Sequence, residues 1–320
     1  MDFLLKGISQ GLIWALLALG VYISYRILDF ADLSCEGTIT LGASVASLML
    51  TKDINPLLAI LVAFISGCLA GAVTGILHTK LKIPPILSGI LTMTALFSIN
   101  LHIMGSANIQ LNSVPTLYSK LTGLLKLTKT NLSLILGATV CVLIMIILYW
   151  FFGTELGASI RATGINEKMC RAQGINTDTT KIIGLALSNG FIALAGAFLC
   201  QYQGYANINM GVGAIVIGLA SIIIGEALFA KVKNFFLTLT GIVVGAVIYR
   251  VVVAFVLYLN MPADDVKLMT AVVVIVALCV TKFGNKFGNK SNSEKNAKHN
   301  KNEKNKAEEK NDGKETQGNV

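Results

Sequence analysis

Long apolar runs separated by short polar interruptions make up most of the chain. Crossing the hydrocarbon core takes about 20 predominantly apolar residues. Nine runs are candidates: Ile8–Leu28, Thr38–Leu50, Pro56–His78, Pro84–Met104, Leu132–Phe152, Ile182–Gln201, Gly211–Ala230, Phe235–Leu259 and Val266–Thr281. The second and the ninth are short, and the second is Gly-rich, which predicts a broken or re-entrant element. The pattern therefore predicts an all-α integral membrane protein of about nine transmembrane helices, within a range of about eight to ten. The membrane domain is expected to occupy residues 1–281, with a polar tail at 282–320.

Composition sharpens this. Charged residues are 13% of the chain, against about 25% in soluble domains, too few to solvate the surface of a 320-residue globule. The formal net charge is +9. From Lys282 to Val320 ten lysines stand against six acidic residues, with many Asn. Such a segment cannot bury enough apolar surface to offset its ordering entropy, so a disordered cytoplasmic tail beside anionic membrane lipid is expected. Nucleic acid is not an expected partner, because only Phe283 and Phe287 offer stacking surfaces. Met1-Asp2-Phe3 lacks a basic n-region, so the first run is expected to be a span and not a removable signal. Six scattered cysteines without a C-x-x-C pair predict neither a disulfide framework nor a metal site.

Orientation follows from the basic residues, which concentrate in cytoplasmic loops. Lys80 and Lys82, Arg161 through Lys181, Lys231 and Lys233, and the tail all fall on one face if there are nine spans. That face is assigned to the cytoplasm and the N-terminus to the outside, with Lys6, Lys120, Lys126 and Lys129 as exceptions.

Two stretches resemble one another. Ala18–Ser47 lies over Ala195–Ile223, with Gly37-Thr38-Ile39-Thr40-Leu41-Gly42 over Gly213-Ala214-Ile215-Val216-Ile217-Gly218. Chance likeness between Gly-rich apolar segments is the competing explanation. If the repeat is real, spans one to four map onto six to nine, and the odd offset inverts the second copy. Halves at about 8–104 and 182–281 would then be joined by the span 132–152 and the loop 154–180. Pathways in such proteins lie at the repeat interface and are lined by broken helices. The candidates for that lining are Asp29, Asp32, Glu36, Gly37, Gly42, Gly213 and Gly218, with Arg250 as a possible attractor for a solute carboxylate. For the three acids, capping of helix ends and packing compete with the pathway role.

No catalytic constellation emerges, so no enzyme activity and no cofactor is expected. His78, His102 and His299 are scattered, and Gly284–Ser291 fails the phosphate-loop spacing and follows a span instead of a strand. Any ATP hydrolysis must reside on another polypeptide. Glu226 is the clear acid within a span, and it keeps open a stand-alone, ion-coupled secondary carrier. The loop Thr154–Thr180 reads as one or two short amphipathic helices between spans, a form that can dock in a groove on a soluble partner.

The residues also carry a resemblance. Gly11-Leu12-Ile13-Trp14-Ala15-Leu16-Leu17-Ala18-Leu19-Gly20, Leu28-Asp29-Phe30-Ala31-Asp32-Leu33, Glu36-Gly37-Thr38 and Leu41-Gly42-Ala43 resemble the branched-chain amino-acid and ribose permease family of ABC importers, with the second block nearest its tryptophan/tyrosine subgroup. Glu155-Leu156-Gly157, Arg161-Ala162-Thr163-Gly164 and Ala172-Gln173-Gly174-Ile175 are similar to that family's cytoplasmic coupling loop. The resemblance covers about residues 8–281. It implies a bacterial plasma-membrane permease that works as a dimer, here expected to be a homodimer, with an ABC ATPase subunit and an extracytoplasmic solute-binding protein or lipoprotein. The solute would be small, an amino acid and in this subgroup an aromatic one, moved by ATP-driven alternating access. It also implies ATPase coupling through Arg161, Gly164, Glu167, Ala172, Gly174 and Ile175. The Lys-rich tail departs from the family pattern.

Overall fold

The computed structural model describes residues 2–111, 114–125, 128–229 and 234–258, together with 268, 271–272 and 274–275. The tail at 282–320, most of the expected ninth span, and Lys126, Lys231 and Lys233 lie outside the described residues. The first helix, α1 (Asp2–Tyr22), widens into a π-turn over Ile23–Ile27. Then come α2 (Cys35–Thr51), α3 (Pro56–Thr79), α4 (Pro85–Met104), the strand β1 (Asn108–Gln110) and α5 (Leu117–Leu125). They are followed by α6 (Lys129–Phe152), α7 (Glu155–Ile165), α8 (Glu167–Ala172), α9 (Thr177–Gln203), the strand β2 (Tyr205–Asn207), α10 (Ala214–Leu228) and α11 (Phe235–Tyr258). The helices start where the chemistry directs. Asn55 accepts from the Leu57 amide ahead of Pro56, and Thr154, Asn166 and Asn176 cap α7, α8 and α9. Each supplies a side-chain oxygen to an amide that has no partner inside the helix.

Among the described residues, six helices are long and apolar enough to cross a membrane. They are not equivalent. The α1 and α9 windows are buried over 67% and 72% of their length, against 28–44% for the other four. These two form the centre, and α3, α4 and α6 present Leu61, Leu69, Ile86, Phe97, Leu143 and Trp150 outward. Faces so broadly apolar suit lipid and not water. The 17-residue α2 is continuous, so the expected break lies before it, in residues 28–34, and not within it. At 15 residues α10 spans about 22 Å at 1.5 Å per residue, short of the roughly 30 Å hydrocarbon core. Among the described residues the nine-span count is therefore not reached by length alone.

The tightest packing rests on glycine. Gly67, Gly71 and Gly75 recur at four-residue spacing on α3 and face Asn189, Leu185 and Ile182 of α9 so closely that any side chain would overlap them. Gly42 of α2 meets the Ala193 carbonyl, and Gly196 of α9 meets that of Ile39. Small residues let helix backbones approach where lipid gives no hydrophobic drive for association. The most extensive helix pairings are α3 with α9 and α1 with α11. A short antiparallel ladder of β1 with β2, in register Gln110↔Tyr205, departs from the all-α expectation.

Candidate functional site

The two Gly-rich stretches expected to line a pathway meet inside the protein. After the π-turn the chain reverses through residues 28–34, with Asp29 in the left-handed region at φ 53. Asp32 is 3% exposed. Its carboxylate accepts from the Ser34 amide at 2.9 Å, the Ser34 hydroxyl at 2.5 Å and Asn189 Nδ2 at 2.7 Å. Asn189 sits near the middle of α9, so the reversal between α1 and α2 is held at mid-height of the helical body. A buried carboxylate is tolerable only when donors replace its water, and three do so here.

The second stretch folds inward in the same way. After β2 the chain turns through residues 208–213, and α10 begins at Ala214 behind Gly213, whose φ is 84. The half-buried Glu36 accepts from the Gly213 amide at 3.0 Å, which places a carboxylate at the positive end of α10. Gly211 lies against the Glu36 carbonyl with no room for a Cβ. Asn100 Nδ2 donates to the Gly37 carbonyl at 3.1 Å, which fastens α4 to the same junction. Further along α2, Gly42 packs on the Ala193 carbonyl. Asp32, Glu36, Gly37 and Gly213 thus line a seam where α2 meets α9 and the start of α10. Gly218 lies one turn further on, against Leu17 and Val21 of α1.

Two candidates stand apart. Asp29 is exposed at the reversal, apart from the hydrogen bonds of Asp32 and Glu36. Arg250 lies between α11 and α1, its guanidinium 4.2 Å from the Trp14 ring centroid. That is cation–π packing away from the seam. The Glu226 carboxylate pairs with Arg26 at 2.7 Å.

The helices α7 and α8 occupy the expected coupling loop. Gly164 packs against the Ile27 carbonyl without space for a side chain, so it ties α7 to the π-turn of α1. Gly174 is different: its φ is 83 and nothing surrounds it, which marks a turning residue. The Ile175 amide donates back to the Cys170 carbonyl across that turn. Glu167 binds Arg171 and Lys181, each at 2.7 Å, and Arg171 also reaches Asp178 at 3.0 Å. The Lys181 hydrogen bond, reinforced by the charges of Lys181 and Arg171, holds the Glu167 carboxyl below the usual carboxylate range. Arg161 stacks on Phe235 at 5.2 Å, Ala172 is exposed, and Ile165 and Met169 are 86% and 50% exposed.

Sequence reasoning passed over Asn189 and Ser34. A lone Asn inside a long apolar run is a signal that could have found the first, since an unpartnered amide is costly there.

A multi-pass helical body with lipid-type outer faces, an inward-folded polar seam and a short helical pair at one end has the build of a membrane transport permease. The comparisons name the kind. Residues 3–278 match the family model described as branched-chain amino acid transport system / permease component, and the chain belongs to that family. It is 44% identical over 279 residues to the tyrosine transport system permease protein of Clostridioides difficile (strain R20291), covering 87% of this chain and 91% of the relative. An uncharacterized protein of Rickettsia prowazekii (strain Madrid E) is 33% identical over 88% of this chain and 99% of its own length. The ribose import permease protein RbsC of Haemophilus influenzae (strain ATCC 51907 / DSM 11121 / KW20 / Rd) is 26% identical over 77% of this chain and 75% of its own. The protein is accordingly the permease component of an ABC importer, a transport subunit and not an enzyme, and it works with an ATPase.

Proposed function

We propose that this permease imports an aromatic amino acid, tyrosine before others, across a bacterial plasma membrane. The observation that carries the reading is the 44% identity, over nearly the whole membrane region, to a permease named for tyrosine transport. In this reading two copies form the membrane unit, an extracytoplasmic binding protein delivers the solute, and the C-terminal tail is cytoplasmic. The membrane domain at residues 1–281 would hold about nine spans in two inverted halves, near 8–104 and 182–281. The pairing of α3 with α9 and of α1 with α11 supports the halves, because exchanging α1 with α9 and α3 with α11 turns one contact into the other. The solute passes beside the seam of Asp32, Glu36 and Gly213, where two inward helix starts meet. The ATPase engages α7 and α8 through Ile165, Met169 and Ala172, while Arg161, Gly164, Glu167, Gly174 and Ile175 fix the shape of that element.

The test is uptake of labelled tyrosine by cells with and without the intact gene, in competition with tryptophan, valine and ribose. Tyrosine uptake that depends on the gene and is competed by tryptophan supports the reading. Gene-dependent uptake of valine or ribose with no tyrosine uptake overturns the solute. The ion pair of Glu226 with Arg26 weighs against the stand-alone carrier, whose coupling acid would have to be free to exchange its proton or ion.

A further inference from the structure

Glu167 is not the only neighbour of the Lys181 ammonium. Lys181 stands in the second turn of α9 with its side chain only 15% exposed. Its Nζ donates to Glu167 Oε2 at 2.7 Å and, at the longer distance of 3.4 Å, to Nε2 of His78 in the last turn of α3. On the far side of the ring, Nδ1 lies 2.8 Å from the carbonyl of Ile83, in the turn before α4. These partners fix the protons of the imidazole. A carbonyl only accepts and an ammonium only donates, so Nδ1 carries the hydrogen and Nε2 is bare. The ring also meets Phe30 edge-on, with centroids 5.1 Å apart. Phe30 belongs to the reversal and stands two residues before Asp32.

Polar bridging matters here because packing does not fill the space. A cavity of about 190 Å³ is lined by His78 and Lys82 from the α3 side, Glu167 and Arg171 of α8, and Asp178 and Lys181 of α9. Groups that face a void have no partner atoms there and exert no contact on what lies across it. The bonds from Arg171 to Glu167, Glu167 to Lys181, Lys181 to His78 and His78 to Ile83 run around that void as one chain. Energetic coupling is carried by such contiguous networks and by the packed elements they join. The element joined here is α3, whose Gly67 and Gly71 press on Asn189, the residue that holds Asp32. Gly164 gives α7 a separate contact, with the π-turn of α1.

We infer that Lys181 and His78 are positioning residues that pass a displacement of α8 to the end of α3 and the α3–α4 turn. The inference rests on the proposed docking of the ATPase on α7 and α8, and it adds two residues outside the coupling loop. The ATPase pushes or pulls α8, the Glu167–Lys181 pair carries that movement to α9, and His78 passes it to α3 and to Phe30 of the reversal.

Hydrogen–deuterium exchange on the purified permease–ATPase complex in detergent tests it, with ATP and vanadate as the probe and no solute present. In the wild type, trapping the nucleotide changes exchange in the peptide over residues 77–84, where the Lys80 and Ile83 amides bond the carbonyls of Ile76 and Leu77. Lys181→Met keeps the stem and removes the charge. His78→Phe keeps a ring against Phe30 and removes both nitrogens. Each is expected to abolish the nucleotide-dependent difference at 77–84 while the ATPase stays bound on size-exclusion chromatography. Lys181→Arg keeps a donor and His78→Gln an acceptor, so both retain the difference, a rescue that mere loosening of the fold does not give. A wild type without any response at 77–84 overturns the inference. A response that survives in Lys181→Met or His78→Phe also overturns it, as does loss of the response in both conservative variants. Ile165→Asp keeps the docking reading separate. An ATPase still bound to that variant removes the docking reading, whereas an ATPase released by it, with a response indifferent to Lys181 and His78, removes only this link.

Discussion

Replacing Asn189 with Leu removes the donor that reaches Asp32 from across the chain. Leu keeps the branched outline of Asn but is bulkier, so some overpacking against Gly67 and Gly71 adds to the loss. What changes is the solvation of a carboxylate that is 3% exposed. Asp32 keeps both bonds from Ser34 and loses the one at 2.7 Å from Nδ2. A hydrogen bond to a charged group is worth about 1.5–3 kcal/mol, and that is the expected loss. At roughly 2–4 °C per kcal/mol for a chain of this size, the unfolding midpoint in detergent should fall by about 3–12 °C. Cys35, Cys141 and Cys200 are buried and reduced, so a thiol-reactive dye reports their exposure as the protein opens. The double variant Asp32→Leu with Asn189→Leu removes both partners and should be less destabilised than the sum of the single variants, because neither group is left stranded. A midpoint unmoved by Asn189→Leu, or strict additivity in the cycle, would refute the view that this bond pins the α1–α2 reversal to α9.

The two glycines of the α7–α8 region should separate. Gly164→Ala collides with the Ile27 carbonyl and is expected to lower the yield of folded protein on size-exclusion chromatography, while Gly174→Asn, with open space and a tolerated left-handed backbone, keeps it. The Glu167 cluster should show acid sensitivity. Because its folded carboxyl lies below the ordinary value, its stabilisation is present above about pH 4.3 and is lost as pH falls through the lowered folded value. Unfolding midpoints of the wild type and Glu167→Gln should therefore differ at pH 6 and converge in strong acid. Glu226→Gln breaks an ion pair whose side chains are 60% and 35% exposed, so tyrosine uptake should keep its pH profile; a shifted profile would favour the ion-coupled carrier.

Some of this was written in the local sequence. The lengths of the apolar runs mark the six helices that, among the described residues, are long enough to cross a membrane, since crossing a bilayer imposes a length that needs no knowledge of neighbours. Asn55 before Pro56, and Thr154, Asn166 and Asn176 at their helix starts, are likewise local signals, because a cap is made within three residues. The two stretches with matched glycines meet in the fold through Glu36 and Gly213. What the sequence could not say was which partner each polar group would take. Asp32 and Asn189 are 157 residues apart, and Glu36 and Gly213 are 177 apart. Arg250 read as a lone charge in a span, yet the fold sets it on Trp14. Gly164 and Gly174 looked alike in the sequence, and packing made one a contact and the other a turn. The β1–β2 ladder is three residues on each side, too short for a periodic signal, and it forms only because α4 and α9 bring its strands together. Span length and helix starts are properties of a segment alone, whereas a buried polar group is stable only with the partner that the whole fold delivers.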